Sequence, residues 1–293
     1  MFRRKRIRTA VIPAAGLGTR MFPATKAVPK ELLPVAAKPL IQYAVEEAAT
    51  SGIETVIIVV RHKRSLIQTH FARDRAFESF LRRRGLNESA DLTRELSAIA
   101  KLKFVEQKKP RGLAHAVFCA RPLLGDDPFV VLLPDVIMVS REPVVSQLIC
   151  ARKELGGNVI AARQVPPQDV GRFGILQIRP AEISKRSVRV TGLVEKPSVG
   201  QAPSQLGVFG RYVLEPSIWS TIAKTNPDAN GEVQLTDALN LLCKDQSVFG
   251  LFFEGRHYDA GDRIGYLKAN IELSLDNPCL AQPLRNYLSS VLA

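Results

Sequence analysis

Cysteine is scarce in this sequence, and the little there is does not pair. The four thiols, Cys119, Cys150, Cys243 and Cys279, never stand at Cys-x-x-Cys spacing. That argues against the disulfide framework of a small secreted domain and for a reducing compartment. The four histidines do not cluster with these cysteines, so a zinc site is not expected. Aromatic residues make up only 6% of the chain, too few to suggest base-stacking platforms, and no nucleic-acid reader motif occurs. Long apolar runs are also lacking. None approaches the roughly 20 residues of a membrane span. The stretch behind the basic N-terminus, AVIPAAGLG, is too short and too Gly-rich for a signal core. A cytoplasmic protein without a membrane partner or a specific nucleic-acid partner is expected.

What is present suits a globular chain of 293 residues, 46% hydrophobic and 24% charged, enough for a sizeable core. The charge is lopsided. The formal net charge is +13, and five cationic side chains fall in the first eight residues. Between Arg61 and Arg111, lysine and arginine exceed aspartate and glutamate by eight. This balance favours anionic partners: nucleic acid, anionic lipid or phosphorylated small molecules. Residues 1–8 read as a basic arm, capable of salt-sensitive, non-specific contacts.

Apolar runs and helical spacings alternate along the first half. Thr9–Ala14, Thr55–Val60 and Phe129–Leu133 read as buried strands, and Lys103–Val105 as a short one. Leu40–Ala49 has helical spacing with Gly52 just past its end; Arg64–Phe71 and Phe77–Ala100 also read as helical. The second half reads as strands over 159–163, 173–178, 188–194, 206–212 and 249–253, with helices over 216–223, 233–243 and 263–275. The pattern predicts an α/β fold: a Rossmann-like mixed, mainly parallel sheet flanked by helices, with a smaller β-rich lobe. No linker divides the chain, so residues 9–293 read as one domain. Its halves run from about 9 to 155 and from 156 to 275, followed by a C-terminal helical tail. Ligands of such sheets sit outside the carboxyl ends of the strands. That directs attention to Ala14–Lys30, Gln107–Gly112 and Asp135.

The segment Ala14-Ala15-Gly16-Leu17-Gly18-Thr19-Arg20 follows a strand, and its small residues let backbone N–H groups approach a phosphate. It lacks the third glycine of a dinucleotide fingerprint and the Gly-Lys-Ser/Thr ending of a P-loop. Arg20, Lys26 and Lys30 follow closely. A guanidinium grips phosphate oxygens bidentately and a lysine adds a point charge, so the segment suits a triphosphate.

Gly16-Leu17-Gly18-Thr19-Arg20-Met21, Pro23-Ala24-Thr25-Lys26 and Pro29-Lys30-Glu31-Leu32-Leu33-Pro34 resemble the signature of the sugar-1-phosphate nucleotidyltransferase family. Further matches follow in order: Gly112-Leu113-Ala114-His115-Ala116, Leu133-Pro134-Asp135-Val136, Val194-Glu195-Lys196-Pro197, Gly210-Arg211-Tyr212, 232–238 and Tyr258-Asp259-Ala260-Gly261-Asp262. Within the family the nearer likeness is to the bacterial UTP:glucose-1-phosphate uridylyltransferases.

That resemblance implies a Mg²⁺-assisted reaction of UTP with glucose 1-phosphate, giving UDP-glucose and pyrophosphate. The first half would bind nucleotide and the second half sugar. Arg20, Lys30 and Lys196 would be catalytic. Ala15, Gly16, Glu31, Gln107 and Gly112 would hold the nucleotide, Gln107 reading a pyrimidine edge because an amide both donates and accepts. Gly174, Glu195 and Lys196 would hold the sugar phosphate. Asp135 and Asp259 would bind the metal, a hard ion that takes one or two carboxylates from protein. Glu232 and Asp237, at a helix start, read only as orienting groups. The resemblance further implies a homo-oligomer, dimer or tetramer. Two alternatives stay open: a thymidylyltransferase acting on the same sugar, and a non-catalytic regulatory paralogue.

Overall fold

The computed structural model describes residues 5–62, 65–184 and 186–292, with the backbone alone at 180–183. Residues 1–4 of the basic arm lie outside the described residues. Its last residues belong to the fold. Ile7 is buried in the core, and the Arg8 carbonyl accepts from the backbone N–H groups of Glu54 and Thr55.

The strands are β1 (Thr9–Ala14), β2 (Pro34–Val35), β3 (Lys38–Pro39), β4 (Thr55–Val60), β5 (Lys101–Glu106), β6 (Phe129–Leu132), β7 (Val136–Val139), β8 (Asn158–Gln164), β9 (Gly174–Ile183), β10 (Ser187–Glu195), β11 (Leu206–Leu214), β12 (Val248–Phe252) and β13 (Arg256–Asp259). Nine of them form one sheet in the order β5-β4-β1-β6-β11-β8-β12-β10-β9. The sheet is mixed, as expected. Its parallel pairs are concentrated in β5-β4-β1-β6, while β11 runs antiparallel to both β6 and β8. Both halves of the chain thus feed one continuous sheet.

The β-branched runs of β1 and β4 are covered on both faces, as their unbroken hydrophobicity requires. Ala10, Ile12, Val56 and Ile58 point into one apolar layer. Val11, Ile57 and Val59 point into the other, where Phe129 stacks on Trp219 with ring centroids 4.8 Å apart. Burying each such side chain stabilises by roughly 1.5–3 kcal/mol.

Three features differ from what the sequence predicts. The helix expected over 77–100 is two, Arg75–Arg83 and Asn87–Ala98, parted at Gly85. A helix over Val144–Leu155 and a two-stranded ribbon of β7 and β13 went unread. The ribbon is antiparallel, with Asp259 opposite Val136. A third apolar cluster lies beneath it, including Ile137, Tyr258, Leu40 and Leu273. Asp262 then caps the helix Arg263–Asp276 by accepting from the Gly265 N–H at 2.8 Å.

Candidate active site

A cavity of about 530 Å³ opens at the carboxyl ends of β1 and β6. Ala15, Gly16, Lys30, Glu31, Gln107, Gly112 and Asp135 all line it. The strands leave the sheet there, and the loops between them carry the polar groups. Gly112 has φ +88, and a Cβ on it would fall 2.6 Å from the Val233 carbonyl oxygen. The tight approach is sealed by Val233 N–H donating to Arg111 O and Ala114 N–H donating to Val233 O. Only glycine fits that position. It brings the segment at 230–233 against the cavity, so Asn230 and Glu232 become lining residues. The sequence predicts for Glu232 only an orienting place at a helix start, whereas here it lines the cavity.

Glu31 is 1% exposed, and neither of its carboxyl oxygens has a hydrogen-bond partner. Burial pushes its pKa up to about 7, against the opposing pull of the Lys30 ammonium. Gln107 is also buried. Its Nε2 donates to Gly112 O at 3.2 Å and to His115 Nδ1 at 2.9 Å.

Asp135 follows β6, and Lys30 Nζ donates to its Oδ2 at 2.5 Å. Burial by itself would raise the Asp135 pKa. The adjoining Lys30 charge outweighs it and holds the carboxyl below the usual range. For Lys30, burial pulls down and Asp135 pulls up, with a net rise. The exposed Arg20 lies near enough for its charge to act on both groups.

The register of β7 and β13 brings Asp259 to Asp135. A Cβ built on Gly261 would lie 3.0 Å from Asp135 Oδ2 and 3.0 Å from Asp259 Oδ1. The two carboxyl oxygens are therefore no more than about 6 Å apart, facing each other across a space that only a missing side chain keeps open. Burial raises the Asp259 pKa, and the Asp135 charge adds to the rise; the Gly261 N–H and Arg172 oppose it. Arg172 Nη2 lies 3.4 Å from Asp259 Oδ2 and donates to Asp262 Oδ2 at 2.8 Å. Two carboxylates this close disfavour each other's charge unless a cation joins them. Among the described residues no group of three His, Cys, Asp or Glu side chains forms a metal cluster. A two-carboxylate site matches what Mg²⁺ takes from protein.

A buried ion pair fixes the turn that carries Asp135. Arg211, fully buried in β11, donates to Glu47 Oε2 from Nε at 3.0 Å and Nη2 at 2.8 Å. It also donates to Leu133 O at 3.0 Å and Val136 O at 2.8 Å, the carbonyls on either side of Asp135. Glu47 Oε1 accepts from the Val145 N–H. With Arg211 Nη1 also donating to Gly210 O at 3.1 Å, all five guanidinium donors are engaged and both Glu47 oxygens accept, as a buried ion pair requires.

The remaining expected residues sit at the opposite end of the sheet. Gly174 and Glu195 are register partners in β9 and β10. Glu195 Oε2 accepts from Thr236 Oγ1 at 2.6 Å, and Glu195 Oε1 lies 3.1 Å from Lys196 Nζ. Lys196 holds an uncommon positive φ of 43°, closed by its N–H donating to Phe173 O at 3.0 Å. The buried Tyr212 feels the charges of both Glu195 and Asp135, which links this cluster to the acid pair. Burial and the Glu195 charge raise the Asp237 pKa. The sequence reading gave no role to Thr236, His115, Arg172 or Glu47. Only Arg211 left a signal, as a lone cation inside an apolar strand.

The chain matches the model of the family described as Nucleotidyl transferase over residues 9–274. It is 44% identical over 289 residues to UTP--glucose-1-phosphate uridylyltransferase YngB of Bacillus subtilis (strain 168), covering 99% of this chain and 97% of that one. A UTP-bound UGPase from Acinetobacter baumannii superposes with a TM-score of 0.86 at 36% identity, covering 97% of this chain and 99% of that one. A UDP-glucose pyrophosphorylase complexed with UDP-glucose superposes with a TM-score of 0.85 at 32% identity, covering 93% of this chain and all of that one.

Proposed function

The chain belongs to the nucleotidyl transferase family, and we propose that it transfers a uridylyl group from UTP to glucose 1-phosphate, releasing pyrophosphate and UDP-glucose. One observation carries the reading: the carboxylates of Asp135 and Asp259 converge across Gly261 at the edge of a cavity that also holds Lys30 and Gln107. The names of relatives at 40–44% identity support the choice of substrates.

Chemistry in this family runs with a divalent metal, and the acid pair fits Mg²⁺, which Asp135 and Asp259 would hold. When bound, Mg²⁺ neutralises charge on phosphate oxygens. The protein's own groups position and neutralise. Gln107 meets the pyrimidine edge, and Ala15, Gly16 and Gly112 pack their backbone against the nucleoside beside Glu31. Glu195 accepts from sugar hydroxyls while Lys196 and Gly174 seat the sugar phosphate. An oxygen of that phosphate forms a bond to the α-phosphorus in line, and the bond from α-phosphorus to the bridging oxygen breaks. Arg20 and Lys30 meet the charge that departs with pyrophosphate. No covalent enzyme intermediate is needed, because in-line transfer depends mainly on placement and charge.

In this reading residues 9–155 serve the nucleotide, 156–275 serve the sugar, and the last helix is a tail. Self-association belongs to it too. Ile264 and Leu267 on the helix Arg263–Asp276, and Tyr287 and Val291 on the last helix, Pro278–Leu292, are exposed apolar side chains that suit contact between copies. A single-chain mass in sedimentation at micromolar concentration would remove this part. The location proposed is cytoplasmic; no helix among the described residues is long and apolar enough to cross a membrane.

A pyrophosphate-release assay over four nucleoside triphosphates and several sugar 1-phosphates tests the function. UTP with glucose 1-phosphate should give the highest kcat/KM. A preference for dTTP, or no turnover with any pair, would overturn it.

A further inference from the structure

Gln107 sits where a base edge would meet the cavity, and its amide is not free to choose how it faces. The side chain is 4% exposed. Its main-chain N–H is tied to Val60 O at 2.8 Å. Both hydrogens of Nε2 are engaged, one by Gly112 O at 3.2 Å and one by His115 Nδ1 at 2.9 Å. The carbonyl oxygen is the one polar atom of that amide left for the cavity. Gln107 therefore presents an acceptor there.

The difference decides which pyrimidine is read. N3 of uracil carries a hydrogen and donates. N3 of cytosine is a lone pair and accepts. A fixed acceptor rewards the first and repels the second. An amide able to turn over would offer its NH₂ to cytosine and lose the distinction. Turning over in place would set the Gln107 oxygen against two other acceptors, Gly112 O and His115 Nδ1. The Gly112 carbonyl belongs to the backbone and cannot adapt. His115 Nδ1 opposes the turn while the ring's proton sits on Nε2, the tautomer in which Nδ1 accepts from the Gln107 amide.

We propose that His115 is a positioning residue: by accepting through Nδ1 it fixes the Gln107 amide and so selects a pyrimidine that carries a hydrogen on N3. The proposal rests on the reading of Gln107 as the base contact. His115 occupies the first turn of the helix Leu113–Cys119, directly after the Gly112 turn, so the backbone that packs on Val233 also sets the ring. Burial, reinforced by the Arg111 charge, lowers its pKa, the direction that favours the neutral ring an acceptor needs. Cys119 Sγ, one turn on, lies 4.0 Å from the same Nδ1 and does not displace the amide. The same device passes thymine as readily as uracil.

Steady-state kinetics with UTP and with CTP test this on the full chain, for wild type, His115→Leu, His115→Asn and Gln107→Leu. Leucine removes the acceptor; asparagine keeps one close to the place of Nδ1. His115→Leu should lower the UTP-over-CTP ratio of kcat/KM about tenfold or more, chiefly through the KM for UTP. His115→Asn should hold the ratio within about threefold of wild type. Thermal melts qualify each variant, with His115→Ala in reserve should the leucine variant fail to fold. A wild-type ratio in His115→Leu or its reserve would overturn the proposal, as would an asparagine variant as unselective as leucine. A Gln107→Leu protein with wild-type selectivity would overturn it as well, by removing the base contact. Should wild type fail to use UTP at all, the uridylyl reading falls first, and the two failures are told apart by that control.

Discussion

Glu31 is a carboxyl group with nothing to hold it. Its oxygens lie buried without a donor, at 1% exposure, in the wall of the cavity at the ends of β1 and β6. A group so placed keeps its proton far above the ordinary range, here to about 7 from 4.5. The folded protein therefore binds that proton more tightly than the unfolded chain. The resulting stability is fully present below pH 4.5 and fades as pH rises through 7. Across that window the ligand-free protein should lose on the order of 3 kcal/mol that Glu31→Gln does not lose. Calorimetric melts of both proteins from pH 4.5 to 8 check it. Parallel profiles would show that Glu31 has a partner or is already ionised at low pH. Neighbouring residues repeat the lesson that a side chain's environment sets its chemistry. Asp135 and Asp259 share a residue type and a site, yet Lys30 drives one pKa down while burial drives the other up.

Among the elements, β11 does more than fill the centre of the sheet. Its Arg211 reaches across to Glu47 in the helix Leu40–Thr50 and grips the carbonyls flanking Asp135. Removing either partner strands a buried charge. Arg211→Met or Glu47→Gln should each cost about 3–5 kcal/mol in calorimetric stability. Replacing both, as Arg211→Met with Glu47→Leu, should recover much of that loss, because an apolar pair needs no compensation. The double variant should nonetheless need more Mg²⁺ for half-maximal turnover, since the turn carrying Asp135 is no longer held. Full additivity of the stability losses would mean the pair is not the unit described.

What the sequence revealed at this scale follows from how each element is stabilised. β1, β4 and β6 were legible because strands covered on both faces must be apolar throughout. The ribbon strand Arg256-His257-Tyr258-Asp259 was not, since only Tyr258 of the four is buried and its pairing partner lies far away in sequence. Asp259 ends that strand, which no apolar run in the sequence marks. The helix hairpin over 75–98 was read as one helix because the break at Gly85 leaves the helical spacing intact on both sides. His115 stood inside a recognised motif without a role, as its contact with Gln107 is visible only after folding. Arg211 could have been found, for a cation in the run Leu-Gly-Val-Phe-Gly-Arg-Tyr-Val-Leu demands a buried partner.

Across the whole molecule, the fold gathers a site from segments that the chain keeps far apart. The glycine turn after β1 and the acid after β6 line one cavity, the acid ending β13 meets the second of these at its edge, and the Glu195–Lys196 pair at the end of β10 stands toward the other end of the sheet. The halves at 9–155 and 156–275 are joined at the β6–β11 and β7–β13 pairings, so neither half is expected to fold alone. Asp135 and Asp259 are drawn together by this topology, and in the proposed function they act as one site for one divalent ion. Mg²⁺-dependent pyrophosphate release by wild type, Asp135→Asn, Asp259→Asn and the double variant tests it most directly. If both carboxylates serve the same ion, each single substitution removes nearly all turnover, about 100-fold or more, and the double loses little beyond the worse single. Losses that multiply in the double variant, or either single variant retaining wild-type turnover and Mg²⁺ dependence, would contradict it.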